Sequence, residues 1–236
     1  MNSPKTGSPI SFISMSIYLQ QLALGPMQNF VYVIGDPETK EAAVVDPAWN
    51  VPVILQETKA AGYRITHVIL SHGHYDHING VEELVAKTDA TVCAHKSELE
   101  EFVYEGMGGL VIPKSSLKKT DTGSSVRVGN MDIHSIHTPG HTPGSQCLKI
   151  ERGAERVLVT GDTLFVGTIG RCDFPYSSPH DLFQSLGKIK KLHDETVFYS
   201  GHDYGGTSHN TLGREKKTNP FLMAKTVEDF LQLVRH

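Results

Sequence analysis

The stretch His72-Gly73-His74-Tyr75-Asp76-His77 decides the fold, and it follows directly on an apolar run. Four side chains that can bind a metal fall within these six residues. Imidazole nitrogens and a carboxylate suit zinc or iron better than calcium or magnesium. His72 and His74 would share one face of an extended strand, and a tight turn would bring Asp76 and His77 to a second point. The cluster therefore indicates a centre with two metal positions.

Further along the chain, polar residues follow other strand-like runs. His141 lies in the segment Thr138–Gly144, where two Pro-Gly pairs restrict the loop around one imidazole. Asp162 and His202 each follow a short β-type run that ends in glycine. Taken singly, each is typical of a solvated histidine or an ordinary turn. Their shared position at the ends of strands favours one site built on a rigid scaffold.

The chain as a whole has the composition of an ordinary globular protein. Its 236 residues suffice for one domain, which we expect over residues 15–236, after a flexible tail at residues 1–14 that is rich in Ser, Pro and Gly. The net charge of −4 includes no block of like charges, so nothing favours a nucleic-acid partner. No apolar run approaches the roughly 20 residues of a membrane helix. Three scattered cysteines and no good signal peptide favour a cytoplasmic location, and the oligomeric state is not indicated.

Hydrophobic periodicity divides the chain into alternating strands and helices. Strands are predicted at 30–34, 42–45, 65–70, 91–95, 126–128, 131–137, 146–150, 157–160 and 196–200, and helices at 51–61, 78–87, 96–104, 179–192 and 220–234. Residues 106–120 are predicted to be a loop, and Ser178 is predicted to cap the fourth helix. Each half begins with strands and continues with strand–helix alternation. This order predicts an α/β fold in which two sheets pack together between helices.

With all these motifs in order, residues 15–236 resemble the metallo-β-lactamase superfamily of hydrolases. The resemblance implies a four-layer αββα sandwich with a metal site at one edge. It also implies two divalent metal ions, with zinc preferred and iron or manganese as the alternatives. By position, the first ion would be held by His72, His74 and His141, the second by Asp76, His77 and His202, and both by a bridging Asp162.

Among the subgroups, the chain looks most like small glyoxalase II-like hydrolases, also called hydroxyacylglutathione hydrolases. That likeness implies hydrolysis of a small thioester such as S-lactoylglutathione by a metal-bound hydroxide. Asp76 and Asp162 are then the candidate catalytic residues, and Asp76 is also a candidate proton shuttle. No cysteine nucleophile is needed, so Cys172 is expected to be a bystander.

The chain is also similar to the persulfide dioxygenases. For these enzymes the resemblance implies one iron on His72, His141 and Asp162, while the other ligand positions stay empty. Two histidines and one carboxylate form the facial set of non-haem iron oxygenases. The segment Gly170–Phe174 is similar to the Gly-Arg-Thr-Asp-Phe of those enzymes, and His202-Asp203-Tyr204 is similar to their His-Asp-Tyr. Because small glyoxalase II-like hydrolases carry similar runs, the alternative of a dioxygenase acting on glutathione persulfide stays open.

Candidate substrate-binding residues are fewer than in the larger glyoxalase II enzymes, which use a C-terminal helical domain. Arg171 lies in a glycine-rich loop shortly after Asp162 and is a candidate for substrate binding. Tyr204 and the basic residues of the last loop are candidates for binding a glutathione carboxylate. A solvated basic face explains the basic residues equally well. These basic residues are Arg214, Lys216 and Lys217.

Other branches of the superfamily fit the sequence less well. True zinc β-lactamases lack an aspartate at the position of Asp162, and flavodiiron proteins replace His74 with glutamate. RNA-processing members carry an additional clamp domain, for which this chain has no room. A metal-binding module without catalysis is disfavoured because the full set of ligands is intact.

Overall fold

The computed structural model describes residues 16–101 and 114–235, which form two mixed sheets flanked by helices. The strands are β1 Tyr18–Leu24, β2 Asn29–Gly35, β3 Glu41–Val45, β4 Arg64–Ile69, β5 Thr91–His95, β6 Leu117–Thr120, β7 Ser125–Val128, β8 Met131–His137, β9 Gln146–Arg152, β10 Glu155–Gly161, β11 Val197–Ser200 and β12 Asn210–Thr211. The helices are α1 Val51–Ala60, α2 Tyr75–Ile78, α3 Val81–Thr88, α4 Lys96–Glu101, α5 Pro179–Ile189, α6 Leu212–Thr218, α7 Pro220–Met223 and α8 Val227–Leu233. A short 3-10 turn, Lys114–Ser116, precedes β6.

The first sheet has the order β1-β2-β3-β4-β5-β6, and the second has the order β12-β11-β10-β9-β8-β7. In the first sheet β3 to β6 run parallel, while β1 and β2 are antiparallel to their neighbours. The second sheet is antiparallel except for the pair β10 and β11. Parallel strands end at the same edge of a sheet, so β3 and β4 on one side and β10 and β11 on the other place their last residues close together.

Alternation along the buried strands produces the four layers. In β2, Val31 and Val33 pack toward α1 and α3, whereas Phe30, Tyr32 and Ile34 pack between the sheets. Every residue of this strand is buried, because the strand has a covered face on both sides. The outer face of the second sheet packs against α5, α6, α7 and α8 through a third cluster. The predicted αββα sandwich is thus confirmed.

Most predicted elements are present, and the strands at 91–95 and 131–137 have the predicted bounds. The Ser178 side chain accepts a hydrogen bond from the Asp181 amide, as expected of a helix cap. The predicted tail, residues 106–113 of the predicted loop and residues 102–104 of the third helix lie outside the described residues. No helix among the described residues is long and apolar enough to cross a membrane.

Three local predictions are wrong, and two of the elements discussed here were not predicted. The strand β1 is missing from the prediction because its centre, Gln20-Gln21, breaks the apolar pattern. Residues 117–120 form the edge strand β6 rather than a loop. Residues 78–87 are not one helix, because Asn79-Gly80 separate α2 from α3, and residues 220–234 are interrupted at Ala224, which has extended backbone. The helix α6 was not predicted.

Candidate metal centre

Three histidines from two loops form the first group of potential ligands. His72 and His74 lie in the segment after β4, not within a strand, and His141 lies in the loop between β8 and β9. The Nδ1 atom of His74 is 3.0 Å from Nε2 of His72 and 2.9 Å from Nε2 of His141. The three predicted ligands of one metal position therefore converge on one point, with their rings buried.

Asp76, His77 and His202 form the second group. The one-turn helix α2 carries Asp76 and His77, and His202 follows β11. The two histidine Nε2 atoms are 3.1 Å apart, and Oδ2 of Asp76 lies 3.5 Å from His77 and 3.4 Å from His202. The helical turn α2 thus takes the place of the tight turn that the sequence predicted, and it directs these side chains to a second point.

Asp162 lies between the two groups. Its Oδ2 is 3.6 Å from Nε2 of His141 and 3.4 Å from Nε2 of His202, and its Oδ1 is 3.5 Å from Nε2 of His77. Within the described residues Oδ1 is buried without a hydrogen-bond partner. A Cβ atom on Gly201 would come within 2.3 Å of this oxygen, so only glycine allows the close approach. The carboxylate is placed where one residue can serve both groups.

Backbone carbonyls orient two of the histidines. Nδ1 of His141 donates to the Arg171 carbonyl at 2.6 Å, and Nδ1 of His202 donates to the Met27 carbonyl at 2.9 Å. Because a carbonyl only accepts, the proton of each neutral ring is on Nδ1. The lone pair of Nε2 is therefore available at the centre, as is usual for metal-binding histidines.

Asp46 orients two more histidines and was missed by the sequence analysis. Its carboxylate accepts from Nδ1 of His77 at 3.1 Å, from the Ser71 amide at 2.7 Å and from the Ser71 hydroxyl. Since the Ser71 hydroxyl donates to Asp46, its oxygen accepts from Nδ1 of His72 at 2.9 Å. Asp46 directly follows the buried strand β3, the same signal that identified Asp162, so the sequence did contain a clue to it.

Burial and the neighbouring carboxylates together set the charges of the histidines in the cluster. Burial lowers the pKa of His72, His74 and His141, and that of His74 falls to about 4. Burial also opposes protonation of His77, but the surrounding carboxylates, Asp162 foremost, outweigh it and raise the pKa of His77 to about 9. The first group thus consists of neutral imidazoles at neutral pH. A cation at the second position would displace the proton of His77.

The donor set fits a pair of divalent transition metals. Donors about 2.1 Å from a tetrahedral zinc ion lie about 3.4 Å from one another. The separations found here run from 2.9 to 4.0 Å. Lone pairs of unprotonated nitrogens at this distance repel each other, so a shared cation stabilises the arrangement. The unpartnered Oδ1 of Asp162 also gains a partner in this way.

A cleft of about 450 Å³ opens over the cluster. Apolar and aromatic side chains form most of its wall beyond the ligands, including Phe165, Phe174, Tyr176 and Tyr204. Tyr204 is 51% exposed and stacks on the His202 ring at 4.6 Å. Of this aromatic wall only Tyr204 was predicted; Phe165, Phe174 and Tyr176 all lie in the connection between β10 and α5.

The predicted substrate-binding residues divide into two pairs. Arg171 and Tyr204 line the cleft, and the Arg171 guanidinium forms a bidentate ion pair with Asp173 at 2.9 Å. Arg214 and Lys217 are exposed on α6 and do not line the cleft. Lys216 on the same helix donates to the Leu192 carbonyl and to Asp194, away from the centre, so the structure does not bring these basic residues to the site.

The three cysteines are unpaired and buried. Burial raises the pKa of the Cys172 thiol to about 11, so this side chain is a neutral thiol rather than a nucleophilic thiolate at neutral pH. The other two thiols have pKa values raised to about 11 for the same reason. The cluster of histidines and aspartates is therefore where the chemistry of this chain is concentrated.

Two packed sheets with a histidine–aspartate cluster at their edge define an α/β sandwich protein with a candidate metal site. The family model of the metallo-beta-lactamase superfamily matches residues 24–202, which include every predicted ligand. The chain belongs to the metallo-β-lactamase superfamily.

Named relatives fall into more than one functional class. The chain is 29% identical to the hydroxyacylglutathione hydrolase GloC of Haemophilus influenzae, over 82% of this chain and 92% of the relative. It is 28% identical to the human mitochondrial persulfide dioxygenase ETHE1, over 92% of this chain and 80% of the relative. The solved structure of TTHA1623 in a di-iron-bound form is 28% identical, with a TM-score of 0.71, and the match covers 86% of this chain and all of that one (100%). Identity alone does not separate a hydrolase from a dioxygenase.

Proposed function

We propose that this protein is a dinuclear metal-dependent hydrolase of a small thioester, such as S-lactoylglutathione. The observation that carries the proposal is the assembly of two complete donor groups that meet at Asp162. A dinuclear hydrolase would use both groups, whereas a mononuclear dioxygenase would leave Asp76, His77 and His202 empty. The similarity to a hydroxyacylglutathione hydrolase and to a protein with a di-iron form supports the same function.

In this proposal zinc is the preferred metal, with iron and manganese as alternatives. Two bound divalent ions supply a hydroxide at neutral pH and polarise the thioester carbonyl. The ions would be held by His72, His74 and His141 at one position, by Asp76, His77 and His202 at the other, and by Asp162 at both.

In this proposal Asp76 transfers the proton of the reaction. Hydrolysis adds water to the carbonyl carbon, breaks the C–S bond and leaves a thiolate that needs a proton. Asp76 lines the cleft, and the side-chain amide of Asn29 donates to its Oδ2 at 2.9 Å and to its backbone carbonyl at 3.0 Å. These hydrogen bonds hold the carboxylate toward the reacting groups. Asp76 would therefore accept the proton of water at the carboxylate oxygen that holds no metal, Oδ1, and deliver it to the sulfur.

The cleft suits a substrate with a small acyl group and an extended thiol. Arg171 is the cationic residue among the described residues that line the cleft. We propose that it binds a carboxylate of the glutathione part of the substrate. Tyr204 would pack against the same part of the substrate. Three buried, unpaired cysteines agree with a reducing compartment, so we propose a cytoplasmic enzyme.

The second candidate is an iron-dependent dioxygenase of glutathione persulfide. It would use His72, His141 and Asp162, whose donor atoms lie close to one another at the first position. The similarity to a persulfide dioxygenase over 92% of this chain favours it.

Replacing His202 distinguishes the two functions. His202→Ala removes a ligand of the second position alone, so a dinuclear hydrolase should lose one equivalent of metal and at least about 100-fold in kcat/KM. A mononuclear dioxygenase should lose much less. The exposed His193→Ala is the matched control and should leave metal content and activity unchanged. Hydrolysis that survives His202→Ala with one metal lost would contradict the proposal.

A further inference from the structure

Tyr176 joins the wall of the cleft to the metal-ligand cluster. Its hydroxyl oxygen is 2.9 Å from Nε2 of His74. Its ring stacks on Phe174, with centroids 5.5 Å apart and planes inclined by 14°, and it lines the cleft. One side chain therefore touches both a predicted metal ligand and the space where a substrate would lie.

The outer partners of the other histidines are of a different kind. Met27 and Arg171 also line the cleft, but they bind His202 and His141 through backbone carbonyls. Asp46 and Ser71 use side chains, but both are buried beneath the cluster. Among the partners described for these rings, Tyr176 alone presents to the cleft the same side chain that bonds a histidine.

The direction of the His74 ring follows from its contacts. Nδ1 faces the neighbouring ligands His72 and His141, so a metal would be bound there and Nε2 would carry the proton. Nε2–H then donates to the Tyr176 oxygen, which fixes the rotation of the ring. The same loop also holds His141, because the Ser177 hydroxyl donates to the His141 carbonyl at 2.7 Å.

We propose that Tyr176 is a positioning residue for the first metal position and, through its ring, a wall of the substrate site. The hydroxyl orients His74 and so strengthens metal binding, whereas the ring contributes to substrate affinity. The second role rests on the proposed function, but the first concerns metal binding and does not depend on the reaction.

Two variants separate the role of the hydroxyl from the role of the ring. Tyr176→Phe keeps the ring and removes the hydroxyl, so metal affinity at the first position should fall about 10- to 100-fold while KM stays within about twofold. Tyr176→Leu removes both, so KM for the thioester should also rise severalfold. Metal affinity is measured by zinc titration against a chromophoric chelator in the His202→Ala background. In that background zinc binds mainly at the first position.

Tyr63→Phe is the matched control, because Tyr63 stacks on Tyr18 far from the cluster and should leave zinc affinity and KM unchanged. Thermal unfolding of each variant shows that it is folded before titration. Zinc affinity of Tyr176→Phe within twofold of its parent would overturn the positioning role. An unchanged KM in Tyr176→Leu would overturn the role of the ring. If the parent enzyme hydrolyses no thioester, the proposed function fails, yet the zinc titration still decides the role of the hydroxyl.

Discussion

At the scale of single residues, each histidine of the centre uses one ring nitrogen for an outer hydrogen bond and directs the other inward. The ligands themselves could be predicted, because each follows a β-type run in the sequence. Apart from Asp46, their outer partners could not be predicted, because a carbonyl at Met27 or a hydroxyl at Tyr176 has no local signature. Those contacts span 175 and 102 residues, respectively, so they exist only in the folded chain.

Asp46 gives the most direct test of these outer contacts. Asp46→Asn replaces one accepting oxygen by a donor, so the carboxamide cannot satisfy both His77 and Ser71. Zinc affinity at the second position should fall about 10- to 100-fold. Zinc competition in the Tyr176→Phe background, where the first position is weakened, isolates this effect.

Asp36→Asn is the matched control for Asp46→Asn. Asp36 is equally buried but accepts from Arg152, Thr39 and the Asn130 amide, at the opposite end of β3 from the cluster. Its replacement should lower the free energy of unfolding by about 1–3 kcal/mol and leave zinc affinity unchanged. Equal losses of zinc affinity in both variants would mean that Asp46 acts through general stability.

At the scale of elements, the ligand loops are held by a residue of α4. One carboxylate oxygen of Glu98 accepts from the Gly73 amide at 2.6 Å, and the other accepts from the Gly144 amide at 2.7 Å and the Thr142 hydroxyl at 2.8 Å. A Cβ atom on Gly144 would come within 2.2 Å of the Glu98 amide nitrogen. The two Pro-Gly pairs predicted a rigid loop. Its contact with Glu98 could not be predicted, because in the sequence Glu98 is only one glutamate in an amphipathic segment.

Glu98→Gln should loosen both ligand loops. The amide group would face donors that now bind a carboxylate oxygen, so kcat/KM for a thioester should fall about tenfold or more, together with zinc affinity at the first position. Glu215→Gln is the control: it is a buried glutamate that accepts from Gly167, Asn210 and Asn219. Similar zinc affinity in Glu98→Gln and wild type would refute the anchoring role.

Element boundaries were the least predictable part of the fold. The break at Ala224 separates α7 from α8, and Thr226 then caps α8 with a reciprocal hydrogen-bond pair to Asp229. The helical pattern of the sequence is continuous over 220–234, so it did not indicate that a second helix begins after Thr226. In contrast, the short apolar runs of β2 and β3 correctly predicted strands, and these runs are apolar throughout because both faces of each strand are covered.

At the scale of the whole molecule, the candidate metal centre lies where both sheets end, so a bound metal would connect the two halves of the sandwich. The candidate ligands come from the first sheet through His72 to His77 and from the second through His141, Asp162 and His202. Binding to the folded state alone adds to stability by mass action. The alternation of strands and helices was enough to predict this architecture.

Chelation should therefore destabilise the entire fold. At free metal about 100-fold above Kd, one binding event adds about 2.7 kcal/mol, which corresponds to roughly 5–10 °C in Tm for a chain of this size. Excess dipicolinic acid should lower Tm by that amount, and zinc should restore it. The Asp162→Ala variant should show a much smaller shift and no activity toward either substrate. A chelator-insensitive Tm in wild type would contradict a metal centre that bridges the sheets.

The most direct test of the central claim measures metal content and reaction on one purified sample. We expect two equivalents of zinc, or of another divalent metal, per chain, together with hydrolysis of S-lactoylglutathione or a similar small thioester. One iron per chain, with oxygen consumed when glutathione persulfide is added and no thioester hydrolysed, would contradict the dinuclear hydrolase.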